Sequence, residues 1–265
     1  DGIRDLVRSR GLGDVYKRQL LTFTRVILFF FGFSSFYVSL TVLPLGTATA
    51  LFFVTPFLIT IFAHFFLKEE IGLRRWSAVV VGFIGVYVTL NPDFSNFNYL
   101  SLLPILCAFC YSLSMIIIKK TSDKDSVYTQ TFTFYIGAII LSIIFYFVIG
   151  DGQYNTSNHP ASQFIFREWF VDFNSNILLM TATGVTATLA FLFLFTAYSI
   201  ASPAVVSPFE YSILFWSPLV GWLYFDEIPS LNTVIGILII VSSGVYIFMR
   251  EKAQNQSIAT EKPLR

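Results

Sequence analysis

One carboxylate stands out. Between Asp172 and Asp226 the sequence contains no acidic, basic or histidine residue except Glu210. A charged side chain deep in an apolar helix costs several kcal/mol when it faces lipid, so Glu210 is expected to face a protein interior or a wet cavity. There it could carry a proton or pair with a cationic solute. Ser207 and Ser217 fall on its face at helical spacing, and Tyr211 follows it directly. Pro208 and Pro218 each lack an amide donor and are expected to loosen or kink the helix. A second stripe, Thr49, Pro56, Thr60 and His64, has spacings of 7, 4 and 4. It could line a pathway, with Pro56 as a third kink; Glu210 and His64 are the two candidate proton-relay groups. An interfacial histidine reads equally well at that position. Tyr37, Tyr198, Tyr211 and Trp216 could stack on a solute ring or cation. The expected solute contacts are therefore Glu210, Tyr211, Ser207, Ser217, Tyr198, Trp216, Tyr37, Thr49, Pro56 and Thr60. Thr181, Thr188 and Thr196, at spacings of 7 and 8, make a similar stripe, and threonines at such spacings serve equally as ordinary contacts between helices.

Enzymatic sets are missing. The sequence holds no H-E-x-x-H pair, no G-x-S-x-G elbow and no phosphate-binding Walker loop. Cys107 and Cys110 form a single C-x-x-C without a second pair and read as buried packing residues. No catalytic residue, metal site or cofactor is expected. A net charge of +1 gives no reason to expect nucleic acid. The remaining non-carrier readings are an intramembrane enzyme and a membrane scaffold.

The elements that must position these residues are membrane spans. Hydrophobic residues make up 55% of the chain and charged residues 12%, against about 25% charged in soluble domains. Eight apolar stretches, at about 21–43, 46–67, 75–92, 98–118, 127–149, 174–199, 203–225 and 230–249, are long enough to cross a bilayer. With the first span starting in the cytoplasm, inside segments carry eleven Lys and Arg residues and outside segments carry one, Arg167. The positive-inside rule then puts the C-terminus in the cytoplasm. Residues 1–19 carry eight charges and end abruptly at an apolar run, which reads as a non-native leader. The aromatic-rich 150–173 loop reads as lying on the outer membrane interface.

Two stretches repeat each other. Phe36–Val88 and Phe195–Ile247 each run through a proline corner, a Glu-Ile pair (Glu70-Ile71, Glu227-Ile228) and a Gly-Val-Tyr end, offset by 157 to 159 residues. Arg74 and Arg75 follow the first pair, and no Lys or Arg follows the second until Arg250. The copies should therefore thread the membrane in opposite senses, as in carriers built on inverted repeats. Residues 20–92 supply three helices of the first copy, 93–251 supply five of the second, and 252–265 form a cytoplasmic tail.

The segments 43–57, 67–76, 81–86, 207–229 and 235–251 together resemble the drug/metabolite transporter superfamily, EamA type. The Pro208-Phe209-Glu210-Tyr211 stretch is most similar to alphaproteobacterial members that take up S-adenosylmethionine. The resemblance implies an all-α membrane protein: eight helices forming an incomplete three-plus-five inverted repeat of a ten-helix bundle. It implies a secondary carrier that moves a small metabolite across the bacterial inner membrane by alternating access, with both parent termini cytoplasmic. Its partners would be a small solute and the lipid bilayer. Export of amino acids or metabolites and riboflavin transport are alternatives on the same fold. Small residues at Ala78, Gly82, Gly85, Gly236, Ser243 and Gly244 imply close helix packing and leave a homodimer open.

Overall fold

The computed structural model describes residues 2–68, 72–91, 98–121, 126–171, 173–201 and 206–253; at 2–18, 75, 173–174, 207–208, 247–248 and 250–253 it describes the backbone alone. The Glu70-Ile71 pair, the corner at 202–205 and the tail beyond 253 lie outside these residues. All regular elements described are helical: α1 (Gly2–Ser39), α2 (Leu45–Phe52), α3 (Thr55–Leu67), α4 (Leu73–Leu90), α5 (Leu103–Thr121), α6 (Val127–Ile149), α7 (Pro160–Phe166), α8 (Phe173–Ile200), α9 (Ile213–Phe225) and α10 (Leu231–Ala253), with 3₁₀ turns at Tyr99–Leu102 and Ser207–Ser212. The backbone helix of α1 runs through the segment expected to be a leader.

Among the described residues, five stretches are long and apolar enough to cross a membrane: Gln19–Ser39, Leu45–Leu67, Tyr99–Thr121, Val127–Ile149 and Ser175–Ile200. Trp76–Leu90 and Leu231–Tyr246 are shorter apolar helices. The 203–225 stretch, expected to be one helix, contains the 3₁₀ turn ahead of the 13-residue α9. Large apolar side chains on α6, α8 and α9, such as Ile139, Phe147, Leu178, Phe193, Phe215 and Leu223, are exposed. Faces of this kind suit hydrocarbon rather than water.

The 46–67 span breaks at Phe53-Val54, between α2 and α3. Pro56 has no amide to give to the Phe52 carbonyl four residues back, and the Thr55 hydroxyl donates to that carbonyl instead. The expected kink at Pro56 is thus an interruption with its own substitute hydrogen bond. α3, α4 and α9 each end on a polar residue in the left-handed region: Lys68 (φ 58°), Asn91 (φ 40°) and Asp226 (φ 55°). Lys68 and Asp226 stand 158 residues apart, so one device closes both helices.

Two buried clusters flank the site. One joins Leu51, Phe57, Val79, Val86, Leu214 and Ile240 across α2, α3, α4, α9 and α10. The other joins Phe29, Ile59, Met115, Phe134, Phe195 and Tyr198 across α1, α3, α5, α6 and α8. α4 and α10 approach closely where they are small. A Cβ on Gly236 would lie 2.7 Å from the Gly85 carbonyl oxygen, and the Ser243 hydroxyl donates to the Ala78 carbonyl. Tyr146 packs on Trp169 and Phe170 at the end of the 150–173 loop.

Candidate functional site

Glu210 sits in the 3₁₀ turn ahead of α9, at the floor of a cavity of about 580 Å3. Two phenols hold its carboxyl group. The Tyr198 hydroxyl of α8 donates to Oε1 at 2.5 Å, and the Tyr111 hydroxyl of α5 donates to Oε2 at 3.0 Å. A carboxyl in apolar surroundings requires such partners. Two elements, the distant α5 and the neighbouring α8, therefore fix its two oxygens.

The cavity walls are aromatic: Phe33 and Phe36 of α1, Phe52 and Phe53, Phe191 of α8, and Trp216 of α9. Polar atoms come from Thr49, Tyr111, Glu210, Ser212 and Ser217. No Lys, Arg or His is among the described lining residues. Such a chamber suits a flat, uncharged or cationic solute and disfavours phosphate esters.

Of the sequence-predicted contacts, the fold brings Glu210, Ser217, Trp216 and Thr49 to the cavity. Tyr198 is fully buried outside the lining, with its hydroxyl on Glu210. Tyr211 is buried with its ring against Phe53. Thr60 is buried and donates to the Pro56 carbonyl, and Tyr37 is exposed beside Phe36. Neither these three residues nor Pro56 lines the cavity. His64 stands in the last turn of α3 in ring contact with Phe65 and Trp76, and it too is outside the lining. Ser207 and Pro208 belong to the 3₁₀ turn, and their side chains lie outside the described residues. Pro218 lies inside α9, where α2 crosses at Gly46. Thr181 and Thr188 bond to carbonyls of their own helix and are exposed, and Thr196 does so half-buried.

Sequence reasoning missed three residues. Tyr111 carried no signal, because an isolated tyrosine in an apolar helix has no periodic partner. Arg25, whose place near the inner end of its span suits a positive-inside anchor, is 1% exposed. Its guanidinium donates to the side-chain and backbone oxygens of Gln130 on α6 and lies over the rings of Phe195 and Phe134. Glu227 was seen only as part of the repeat. Its Oε2 accepts from the Leu45 amide at 2.7 Å, at the N-terminus of α2, where a negative charge is favoured.

A chain whose described elements are all helical, with lipid-suited outer faces and a cavity lined by an acid, has the construction of a multi-pass membrane carrier. The chain belongs to the EamA-like transporter family, whose family model matches residues 8–91 and 99–249. It is 32% identical over 235 residues to the S-adenosylmethionine uptake transporter of Rickettsia felis, covering 89% of this chain and 74% of the relative. The protein of the same description from Rickettsia prowazekii is 32% identical over 240 residues, covering 91% and 75%. A riboflavin transporter of Vibrio cholerae is 29% identical over 255 residues, covering 96% and 78%. These relatives are transporters of small metabolites, and the family assignment makes this chain a multi-pass membrane protein.

Proposed function

We propose that this protein is a secondary carrier of a cationic, heteroaromatic metabolite, of the S-adenosylmethionine type, in the bacterial inner membrane. The observation that carries the reading is the aromatic cavity whose floor is a carboxyl group held by two phenols. Glu210 is the counter-charge for the cation. Tyr111 and Tyr198 orient it, and Trp216, Thr49 and Ser217 contact the solute. The two repeat halves rock about the cavity in an inverted arrangement, with the C-terminus in the cytoplasm, as the eleven-to-one distribution of Lys and Arg favours. The shared left-handed ends at Lys68 and Asp226 support that repeat. The eight spans correspond to three helices of one half and five of the other.

Uptake into proteoliposomes tests this. A solute of charge +1 gains about 2.3 kcal/mol per 100 mV of inside-negative potential, roughly a fifty-fold accumulation. Uptake of S-adenosylmethionine should follow an imposed potential and fall at least tenfold in Glu210→Gln. Undiminished uptake in that variant overturns the role of Glu210. A second reading, riboflavin transport, is favoured by the largely apolar lining. It predicts uptake of an uncharged flavin that ignores the potential.

A further inference from the structure

Among the residues whose side chains are described, two hydroxyl–proline pairs lie within the spans, Thr55-Pro56 and Ser217-Pro218, and they differ in one respect. At Thr55-Pro56 the threonine hydroxyl donates to the Phe52 carbonyl, the group that the proline cannot serve. At Ser217-Pro218 the same local chemistry is available, since Pro218 offers no amide to the Leu214 carbonyl. Yet the Ser217 hydroxyl makes no hydrogen bond, although the residue is only 6% exposed. Serines and threonines elsewhere in these helices routinely bond back to their own turn, as Thr49, Thr60, Ser112 and Ser114 do. Among the described residues, Ser217 carries the one buried, unpartnered side-chain atom on a cavity-lining residue. A buried hydroxyl with no partner is costly, and an acceptor or donor brought by a ligand removes that cost.

Ser217 and Glu210 lie on one continuous segment, seven residues apart. The rises of a 3₁₀ turn and an α-helix put about 11 Å between them along the axis. Phe52, Phe53 and Trp216 wall the same chamber. We propose that Ser217 is the ring-reading end of the cavity: its hydroxyl, enclosed and unpartnered in this structure, turns about the Cα–Cβ bond to meet a polar edge atom of a nitrogen heterocycle, while Glu210 holds a cationic centre at the other end. The ligand class is an elongated molecule with a flat heterocycle at one end and a sulfonium or ammonium at the other. Ser217 is thereby a specificity-determining residue. The inference rests on the carrier reading above and adds a division of labour to it.

Binding to the purified full chain separates the two ends, with four probes: S-adenosylmethionine, S-methylmethionine (sulfonium without a base), adenosine (base without sulfonium) and riboflavin. Ser217→Ala should weaken S-adenosylmethionine and adenosine by about five- to tenfold and leave S-methylmethionine unchanged, as deletion of one hydrogen bond predicts. Glu210→Gln should weaken S-adenosylmethionine and S-methylmethionine and leave adenosine unchanged. Ser217→Thr keeps the hydroxyl and should bind the base-bearing probes within about twofold of the wild type, which separates loss of the hydroxyl from loss of fold. If riboflavin is the solute that binds, Ser217→Ala should weaken it by the same factor. Equal weakening of every probe, or of none, overturns the inference while the carrier reading stands. If the wild-type protein binds none of the four, the carrier reading falls and the inference falls with it.

Discussion

Gly236→Ala and Gly184→Ala make the same chemical change in two helices and should have opposite effects. In an ordinary helix, glycine to alanine gains up to about 1 kcal/mol, because alanine has less backbone freedom to lose. Gly184 on α8 has nothing within 4 Å of the added Cβ, so it should show that gain. Gly236 on α10 faces α4, where the new Cβ would lie 1.9 Å from the Thr89 Oγ1 and 2.7 Å from the Gly85 carbonyl oxygen. The threonine could rotate, at the loss of its 3.0 Å bond to that same carbonyl. The Gly85 oxygen belongs to a helix backbone and can move only with α4. Overpacking of this kind costs about 1–3 kcal/mol, enough to cancel or exceed the alanine gain. The two variants should therefore separate by about 1–3 kcal/mol, with Gly184→Ala the more stable. Thr89→Ala added to Gly236→Ala should restore only part of the loss, because the Gly85 contact remains. Unfolding in increasing mole fractions of sodium dodecyl sulfate, followed by tryptophan fluorescence, reads the difference. Equal midpoints for the two single variants would refute the close α4–α10 approach.

Other contacts are testable in the same way. Gln130→Ala removes one of the two oxygens that serve Arg25 and should destabilise the fold by about 1.5–3 kcal/mol, the range for hydrogen bonds to charged groups; an unchanged unfolding midpoint would show that the clasp is not formed. Glu227→Gln removes the negative charge from the first turn of α2 and should cost about 0.3–1 kcal/mol. Hydrogen exchange should then quicken at Leu45 while amides in α5 stay unaffected, and an unaltered rate at Leu45 contradicts the cap.

Much of the architecture was legible in the chain because bilayer crossing is a local property. Runs of apolar residues, rare charges and the Lys and Arg distribution report on each segment separately. The expectation that Glu210 faces inward needed only the cost of a carboxylate in lipid. The small residues of α4 and α10 likewise announced a close crossing, and Gly85 and Gly236 meet there. The polar stripe of the 46–67 span was less informative. Thr49 reaches the cavity and Thr60 does not, because the break at Phe53-Val54 resets the helix rotation that the 7, 4, 4 spacing assumed.

By itself the sequence determined that the chain is a multi-pass membrane protein with one acid, Glu210, isolated in the apolar stretch between Asp172 and Asp226. It also carried the likeness to EamA-type carriers. Only the tertiary structure decided which residues meet that acid and each other: Tyr111 with Glu210 across 99 positions, Arg25 with Gln130 across 105, and Leu45 with Glu227 across 182. The physical reason is that helices apolar on every side carry no stripe to mark their buried face. Their mutual rotation is chosen by shape, through glycine contacts, proline breaks and aromatic packing, and those are properties of pairs of helices rather than of any one segment.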